Sequence, residues 1–276
     1  RCRFAPIRLP QRCNSGVTNH RAPTFLAVYK RANRQSGLSG YLARFLLVER
    51  HMFIIGHRGA AAVAPENTLL SISRAMEIGV DAIEIDVHMT KDNQVVVIHD
   101  ETVDRTTNGT GLVRELDLGQ IRQFDADAGQ KVPTLQEVLG LVGNRVTVFI
   151  ELKEKGIEGA VVELIRDREL FDAAVVISFW HRSVKDAKDL DQRIKTGVLL
   201  VGCPVDTTVA SAARADCLMM KHTFVDRPFV EVAHHKGLKV FIWNVDTPRL
   251  AETYAAMGVD GIGSNDPRGL IARFRS

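Results

Sequence analysis

From residue 53 onward the chain alternates short apolar runs rich in β-branched residues with segments that carry helix start and stop signals. The extended runs are 53–55, 82–87, 146–152, 174–179, 197–201, 217–221, 239–245 and 261–263. Strands alternating with helices are the pattern of parallel βα units. One further run, 94–98, follows 82–87 too closely for a crossover helix, which takes a dozen or more residues. Lys91-Asp92-Asn93 between them is turn-like, so 94–98 reads as a hairpin excursion. With the hairpin set aside the runs number eight, which predicts a (β/α)8 TIM barrel of the α/β class with a short insertion after its second strand.

The helix signals fit that frame. Pro65-Glu66-Asn67 opens a helix that runs to Ile78 and stops at Gly79. A short helix is expected over 116–124, and Thr134-Leu135-Gln136-Glu137 is a capping box for the helix that follows. Ser183 precedes 184–190, Asp226 and Pro228 precede a stop at Gly237, and Thr247-Pro248 precedes a stop at Gly258. No dinucleotide-type glycine loop follows any of the strands.

The chemistry gathers at strand ends. Successive strand residues face opposite ways, so Glu84 and Asp86 share one face while Ile83, Ile85 and Val87 take the other. Paired carboxylates suit a hard cation such as Mg2+ or Ca2+, and the absence of a nearby cysteine argues against structural zinc. Taken alone, Glu-x-Asp also describes a solvated strand. The residues around it are Gly56-His57-Arg58-Gly59, Pro65-Glu66-Asn67-Thr68, His99-Asp100 and Glu151-Leu152-Lys153. In a barrel the carboxyl ends of the strands share one mouth. His57, Arg58, Glu84, Asp86, Glu151, Lys153, Ser178, Trp180, Lys221 and Trp243 would converge there or nearly so, with the insert 88–129 lying above them.

These motifs, in this order, resemble the glycerophosphodiester phosphodiesterase family, over about 53–270. The resemblance implies metal-dependent hydrolysis of glycerophosphodiesters to sn-glycerol 3-phosphate and an alcohol. It assigns one divalent cation, Mg2+ or Ca2+, to Glu84, Asp86 and Glu151, and phosphate contacts to Arg58 and Lys153. His57 and His99 become the general acid-base pair, since imidazoles in general titrate near neutral pH. Family precedent leans toward His57 as base and His99 as acid, and toward the glycerol 2-hydroxyl as internal nucleophile; direct attack by water gives the same products. Trp243 and Phe179 read equally as a wall against the glycerol carbons or as barrel-top packing. Glu66 and Asn67 read as helix-start chemistry, with Asn67 as a second support for the site, and Lys221 as a further phosphate or hydroxyl contact. His181, His222, His234 and His235 read as ordinary surface or helix residues. The short stretch 124–131 departs from longer relatives and implies a small cap with loose headgroup selection, and Gly263-Ser264-Asn265-Asp266-Pro267 varies the family's Thr-Asp or Thr-Asn turn.

Composition bounds the rest. With 276 residues, 45% of them hydrophobic, the chain can build one full core. The net charge of +3 hides an asymmetry: 1–51 holds ten Lys and Arg against Glu49, whereas the remainder holds 26 bases against 32 acids. This divides the chain into a basic, poorly ordered arm, 1–51, and a barrel domain, 52–276. The arm reads as an inert tail or an upstream stretch joined by a misplaced start, ahead of a presequence or a tether for nucleic acid or anionic membrane. A short helix is expected over 37–49. The apolar run 41–48 is short and broken by Arg44, so no membrane insertion is expected, and no recognisable secretory leader places the protein in the cytoplasm. Cys2, Cys13, Cys203 and Cys217 form no Cys-x-x-Cys pair and read as reduced thiols, the latter two buried.

Two other classes compete. A phospholipase on the same barrel, acting at a membrane, would show an apolar rim, which the sequence does not reveal. A degenerate barrel serving only to carry the basic arm is opposed by the intact histidines and carboxylates. The expected partner is a small-molecule glycerophosphodiester, with no nucleic acid; the oligomeric state is open.

Overall fold

The computed structural model describes residues 52–202 and 206–275. Eight parallel strands close on themselves: β1 (Phe53–His57), β2 (Ala82–Met89), β4 (Thr147–Leu152), β5 (Ala174–Ser178), β6 (Lys195–Leu200), β7 (Cys217–Lys221), β8 (Lys239–Trp243) and β9 (Gly261–Ser264). Closure comes from β1, which pairs with β2 on one side and β9 on the other. The expected (β/α)8 TIM barrel is therefore present. The hairpin is present too: β3 (Val95–Val97) runs antiparallel to β2 and stands outside the ring.

Helices α1 (Leu69–Ile78), α3 (Leu135–Val142), α4 (Glu158–Asp167), α5 (His181–Leu190), α6 (Thr208–Ala213), α7 (Arg227–His235), α8 (Pro248–Met257) and α9 (Arg268–Phe274) surround the strands, and α2 (Leu118–Ile121) belongs to the insert. Thr134 and Glu137 form the expected capping box, and Asp226 accepts from the Phe229 N–H at 2.9 Å. Two starts differ from expectation. α1 is capped by Thr68, whose hydroxyl accepts from the Ser71 N–H at 3.2 Å, so Glu66 and Asn67 are free for other work. α5 begins at His181, and Ser183 is a buried residue of its first turn.

Three apolar layers follow from strand alternation. Ile54, Ile83, Ile85, Ile150, Leu152 and Val176 face outward against the helices, in one continuous core. Ile55, Ala82, Phe149, Ile177, Leu199, Met219 and Phe241 fill the barrel interior. Val96, Ile98, Val103, Val113, Ile121, Ala126 and Val132 give the insert a core of its own, so it is a packed cap. Within the interior Cys217 is buried, its thiol pushed up to about 12 by burial, which leaves it inert. Cys2, Cys13, Cys203, the basic arm and the helix expected at 37–49 lie outside the described residues. No helix among the described residues is long and apolar enough to cross a membrane.

Candidate active site

Strand register brings the acids together. His57 pairs with Glu84 across β1 and β2, and Asp86 pairs with Glu151 across β2 and β4. The carboxylates of Glu84, Asp86 and Glu151 lie within 4.8 Å of one another and are all buried. Such a cluster is unfavourable without a counter-charge. Burial, then repulsion from Asp86 and Glu151, pushes the Glu84 carboxyl well above its usual range. Burial and Asp86 raise Glu151 to about 7. Asp86 keeps its charge: burial opposes ionisation, but Lys153, Arg58, His99 and the Asn67 amide together hold it below its usual value. The Glu84 Oε1 atom is buried without a hydrogen-bond partner. Three converging oxygen donors, one of them orphaned, fit a hard divalent cation.

Two cationic groups flank the cluster. Lys153 Nζ is 2.8 Å from Glu151 Oε1 and 3.4 Å from Asp86 Oδ1. Arg58 lies with Nε 3.3 Å from Asp86 Oδ2, and its backbone N–H donates to Glu84 Oε2 at 3.1 Å. That approach depends on a left-handed turn. Arg58 has φ 52° and Gly59 φ 85°, and a Cβ at Gly59 would stand 2.4 Å from Ser71 Oγ.

The two histidines line the same cavity as Glu84 and Glu151. His57 presents Nε2 toward Glu84 Oε2, 3.8 Å away, while its Nδ1 lies 2.7 Å from Asn265 Oδ1 and 3.0 Å from the Asn244 amide. Asp246 accepts from the Asn265 side-chain amide at 3.0 Å and from its backbone N–H at 2.7 Å, so Asn265 is held with its oxygen toward the imidazole. The Asn265 oxygen accepts only from a protonated Nδ1, the tautomer that leaves the Nε2 lone pair facing the acids, whereas the Asn244 amide nitrogen, itself a donor, opposes that tautomer as it is placed. Burial and the neighbouring Arg58 lower the His57 pKa, which favours the neutral ring. His99 follows β3, where the Ile98 N–H donates to the Asp86 carbonyl at 3.0 Å. Its Nδ1 is 2.6 Å from Asp100 Oδ1.

Asp100 starts a chain of ion pairs. Arg105 Nε is 2.6 Å from Asp100 Oδ2, Arg105 also holds Glu66 at 2.8 Å, and Glu66 holds Arg58 at 2.8 Å. His99 and Arg58 are thus joined through Asp100, Arg105 and Glu66. Asn67, 3% exposed, donates to Asp86 Oδ2 at 2.9 Å and accepts from the Asp86 N–H. Glu66 and Asn67 therefore serve the site, and Thr68 starts the helix.

His57 and His99 both line a cavity of about 160 Å³. Its polar side is His57, Arg58, Glu84, His99, Glu151 and Lys153, and its apolar side includes Ile177, Phe179, Leu199, Met219 and Trp243. Phe179 and Trp243 meet edge to face at 6.0 Å. Of the other residues expected at the mouth, Ser178 is buried and donates to the Leu152 carbonyl, so it supports the strands. Trp180 is exposed beneath the Lys155 ammonium, and Lys221 is exposed outside the cavity lining.

Residues 57–268 match the model of the Glycerophosphoryl diester phosphodiesterase family. The chain belongs to this family. A glycerophosphodiester phosphodiesterase from Caldanaerobacter subterraneus subsp. tengcongensis is 39% identical over 238 residues, 80% of this chain and 97% of the relative. One from Bacillus altitudinis is 31% identical over 231 residues, 78% and 94% of the two chains. Among solved structures, an Oleispira antarctica phosphodiesterase in complex with the product sn-glycerol-3-phosphate superposes with a TM-score of 0.77 at 28% identity, covering 81% of this chain and 96% of that one. The Agrobacterium tumefaciens glycerophosphodiester phosphodiesterase superposes at 0.73 and 28% identity, over 80% and 99%. Membership of the glycerophosphoryl diester phosphodiesterase family makes the chain a hydrolase of phosphodiesters.

The sequence missed Asn244, Asp246, Asn265 and Arg105 as parts of this family member's site. Asn265 sits in the turn 263–267 that the sequence singled out as a departure, which was the available signal. Asn244 and Asp246 carried none, because nothing in 239–248 marks the side chain that reaches across to β1.

Proposed function

We propose that residues 52–276 form a catalytic domain that hydrolyses glycerophosphodiesters to sn-glycerol 3-phosphate and an alcohol, with 1–51 a basic arm outside it. The proposal includes one divalent cation, Mg2+ or Ca2+, on Glu84, Asp86 and Glu151, and His57 and His99 as the proton carriers. The observation that carries it is the meeting of three buried carboxylates at the edge of a cavity that both imidazoles line.

Bound there, a cation would supply charge stabilisation to the phosphoryl oxygens. The chain's own residues do the rest. Arg58 offers a planar fork to a non-bridging oxygen and Lys153 a point charge. His57, with Nδ1 committed to Asn265, removes the proton from the glycerol 2-hydroxyl through Nε2. His99 donates a proton to the departing alcohol oxygen, and the Asp100 carboxylate orients it. Water then opens the resulting cyclic phosphate, with His99 taking a proton from it and His57 returning one. Trp243 and Phe179 bound the glycerol carbons on the side away from the acids.

The test is choline release from glycerophosphocholine by the full chain before and after chelation, with Mg2+ or Ca2+ restored separately. Turnover lost with EDTA and recovered with either ion is the expected result. Undiminished turnover in EDTA would exclude the cation from the reaction.

A further inference from the structure

His88 is a buried imidazole that the reaction given above does not use. Strand alternation places it on the same face of β2 as Glu84 and Asp86, and it is 6% exposed. It does not line the cavity. Its Nε2 lies 3.2 Å from the His99 carbonyl oxygen, and its Nδ1 lies 3.8 Å from Glu154 Oε1. A carbonyl oxygen only accepts, so Nε2 carries the hydrogen. Glu154 in turn accepts from the Met89 N–H at 2.6 Å, which links the end of β2 to the segment that follows β4.

The link matters because of where His99 stands. The acids, Arg58, Lys153 and His57 sit on barrel strands or directly after them, in a register that the closed ring fixes. His99 lies at the far end of the hairpin excursion, so its place depends on what ties the hairpin back. The ladder between β2 and β3 does so as far as Val97, and the Ile98 N–H donates to the Asp86 carbonyl at 3.0 Å. At His99 the chain leaves the ladder, and a side chain meets its carbonyl. That carbonyl belongs to the peptide joining His99 to Asp100. The contact of 2.6 Å between His99 Nδ1 and Asp100 Oδ1 spans adjacent residues, so it holds only while the peptide plane between them keeps its angle.

We infer that His88 is a positioning residue for departure of the alcohol: its Nε2–H holds the 99–100 peptide so that the His99 imidazole, backed by Asp100, faces the leaving oxygen. This inference rests on the reading of His99 as the acid under Proposed function. A residue that served stability alone would behave differently, and the leaving group tells the two roles apart. The choline oxygen takes up a proton as it leaves, so its departure depends on where His99 stands. p-Nitrophenol leaves as a stable anion and takes none. Damage to the carboxylates, to Arg58 or to the fold slows both leaving groups, whereas a displaced His99 slows choline.

The experiment measures kcat/KM for glycerophosphocholine and for the p-nitrophenyl ester of glycerol 3-phosphate, using the full chain and its His88→Leu, His88→Met, His88→Gln and His99→Ala variants. Leucine and methionine fill the space without a donor, and glutamine restores an N–H. The leucine and methionine variants should lose roughly 10- to 100-fold on glycerophosphocholine, the scale of a catalytic group misplaced by about an ångström. On the nitrophenyl ester they should stay within about threefold of the parent, which also certifies that they are folded. The glutamine variant should recover glycerophosphocholine turnover to within about threefold of the parent. Parallel loss of both substrates by the leucine and methionine variants, through failure to fold or otherwise, would make His88 a structural residue and overturn the inference. So would parental turnover of glycerophosphocholine in either, or a glutamine variant as slow as the leucine one. His99→Ala tests the reading beneath: it should lose roughly 100- to 10,000-fold on glycerophosphocholine and far less on the ester. An equal loss on both would remove His99 as the acid, and this inference with it.

Discussion

Replacing Glu151 by glutamine should make the metal-free protein more stable while destroying its response to metal. The reason is the burial of Glu151 against Asp86, which raises its carboxyl from an ordinary 4.5 to about 7. A raised carboxyl pKa means the fold prefers the neutral form. Below the unfolded value near 4.5 Glu151 imposes no penalty; the penalty grows as pH rises toward about 7 and is constant above it. At roughly 1.4 kcal/mol for each tenfold change in proton affinity, the ionised group disfavours the metal-free fold at pH 8 by up to about 3 kcal/mol. Glutamine keeps the shape and the oxygen that accepts from Lys153, 2.8 Å away, but carries no charge. For a domain of this size about 1 kcal/mol moves the melting temperature by roughly 2–4 °C, so a rise of up to about 6–12 °C is expected at pH 8 in EDTA. The rise should shrink as the pH is lowered toward about 5. The added stability that a bound cation gives the parent should be absent or much reduced in the variant. Differential scanning fluorimetry over a pH series, with and without Mg2+ or Ca2+, measures all three. A Glu151→Gln protein that melts below the parent at pH 8 in EDTA, or shows the same rise at pH 5, would refute the reasoning.

His57→Ala or His99→Ala should abolish turnover with little loss of stability, because each removes a proton carrier and no core volume; near-parental kcat in a clean preparation would withdraw that histidine from the pair. Asn265→Ala removes the 2.7 Å partner of His57 Nδ1, a loss of about 1–3 kcal/mol for an unpaired buried group. If it appears wholly in the barrier, kcat falls between about fivefold and 150-fold, and an unchanged metal titration would separate this from damage to the acids. The Arg105 network should give an acid-sensitive term. Hydrogen bonds from Arg105 hold Asp100 below its usual carboxyl range, and for Glu66 burial pulls upward but Arg105 and Arg58 outweigh it. Depressed carboxyls stabilise above their unfolded values near 4 and lose that contribution as pH falls. The parent's melting temperature should therefore drop more steeply on acidification than that of Arg105→Met, and parallel curves would dismiss the network as a source of stability.

The eight strands were legible because a strand buried in a barrel repeats every second residue, and that period places Glu84, Asp86 and Glu151 on one inner face whatever the loops do. Their convergence could be expected before any coordinates. Helices α4 and α9 went unread for a local reason: they begin after Ile157 and Pro267, neither of which caps through a side chain. The support around His57 was hidden for a topological one. Asn244 and Asn265 stand 187 and 208 residues from it and meet it only when β8 and β9 close the ring onto β1. Glu66 was misassigned because Pro-Glu-Asn-Thr offers several helix starts, and Thr68 takes that role, whereas of the two readings given to Asn67 the one that supports the site holds.

The central claim is one cation held by Glu84, Asp86 and Glu151 between the two imidazoles. Crystals grown with Ca2+ and sn-glycerol 3-phosphate, measured for the anomalous signal of calcium, test it directly. The account predicts a single site with oxygens of all three carboxylates at about 2.3–2.6 Å, the phosphate on the same ion, and His57 and His99 on either side of it. An ion bound elsewhere, or one that leaves Glu151 outside coordination while the phosphate sits between the histidines, would contradict it.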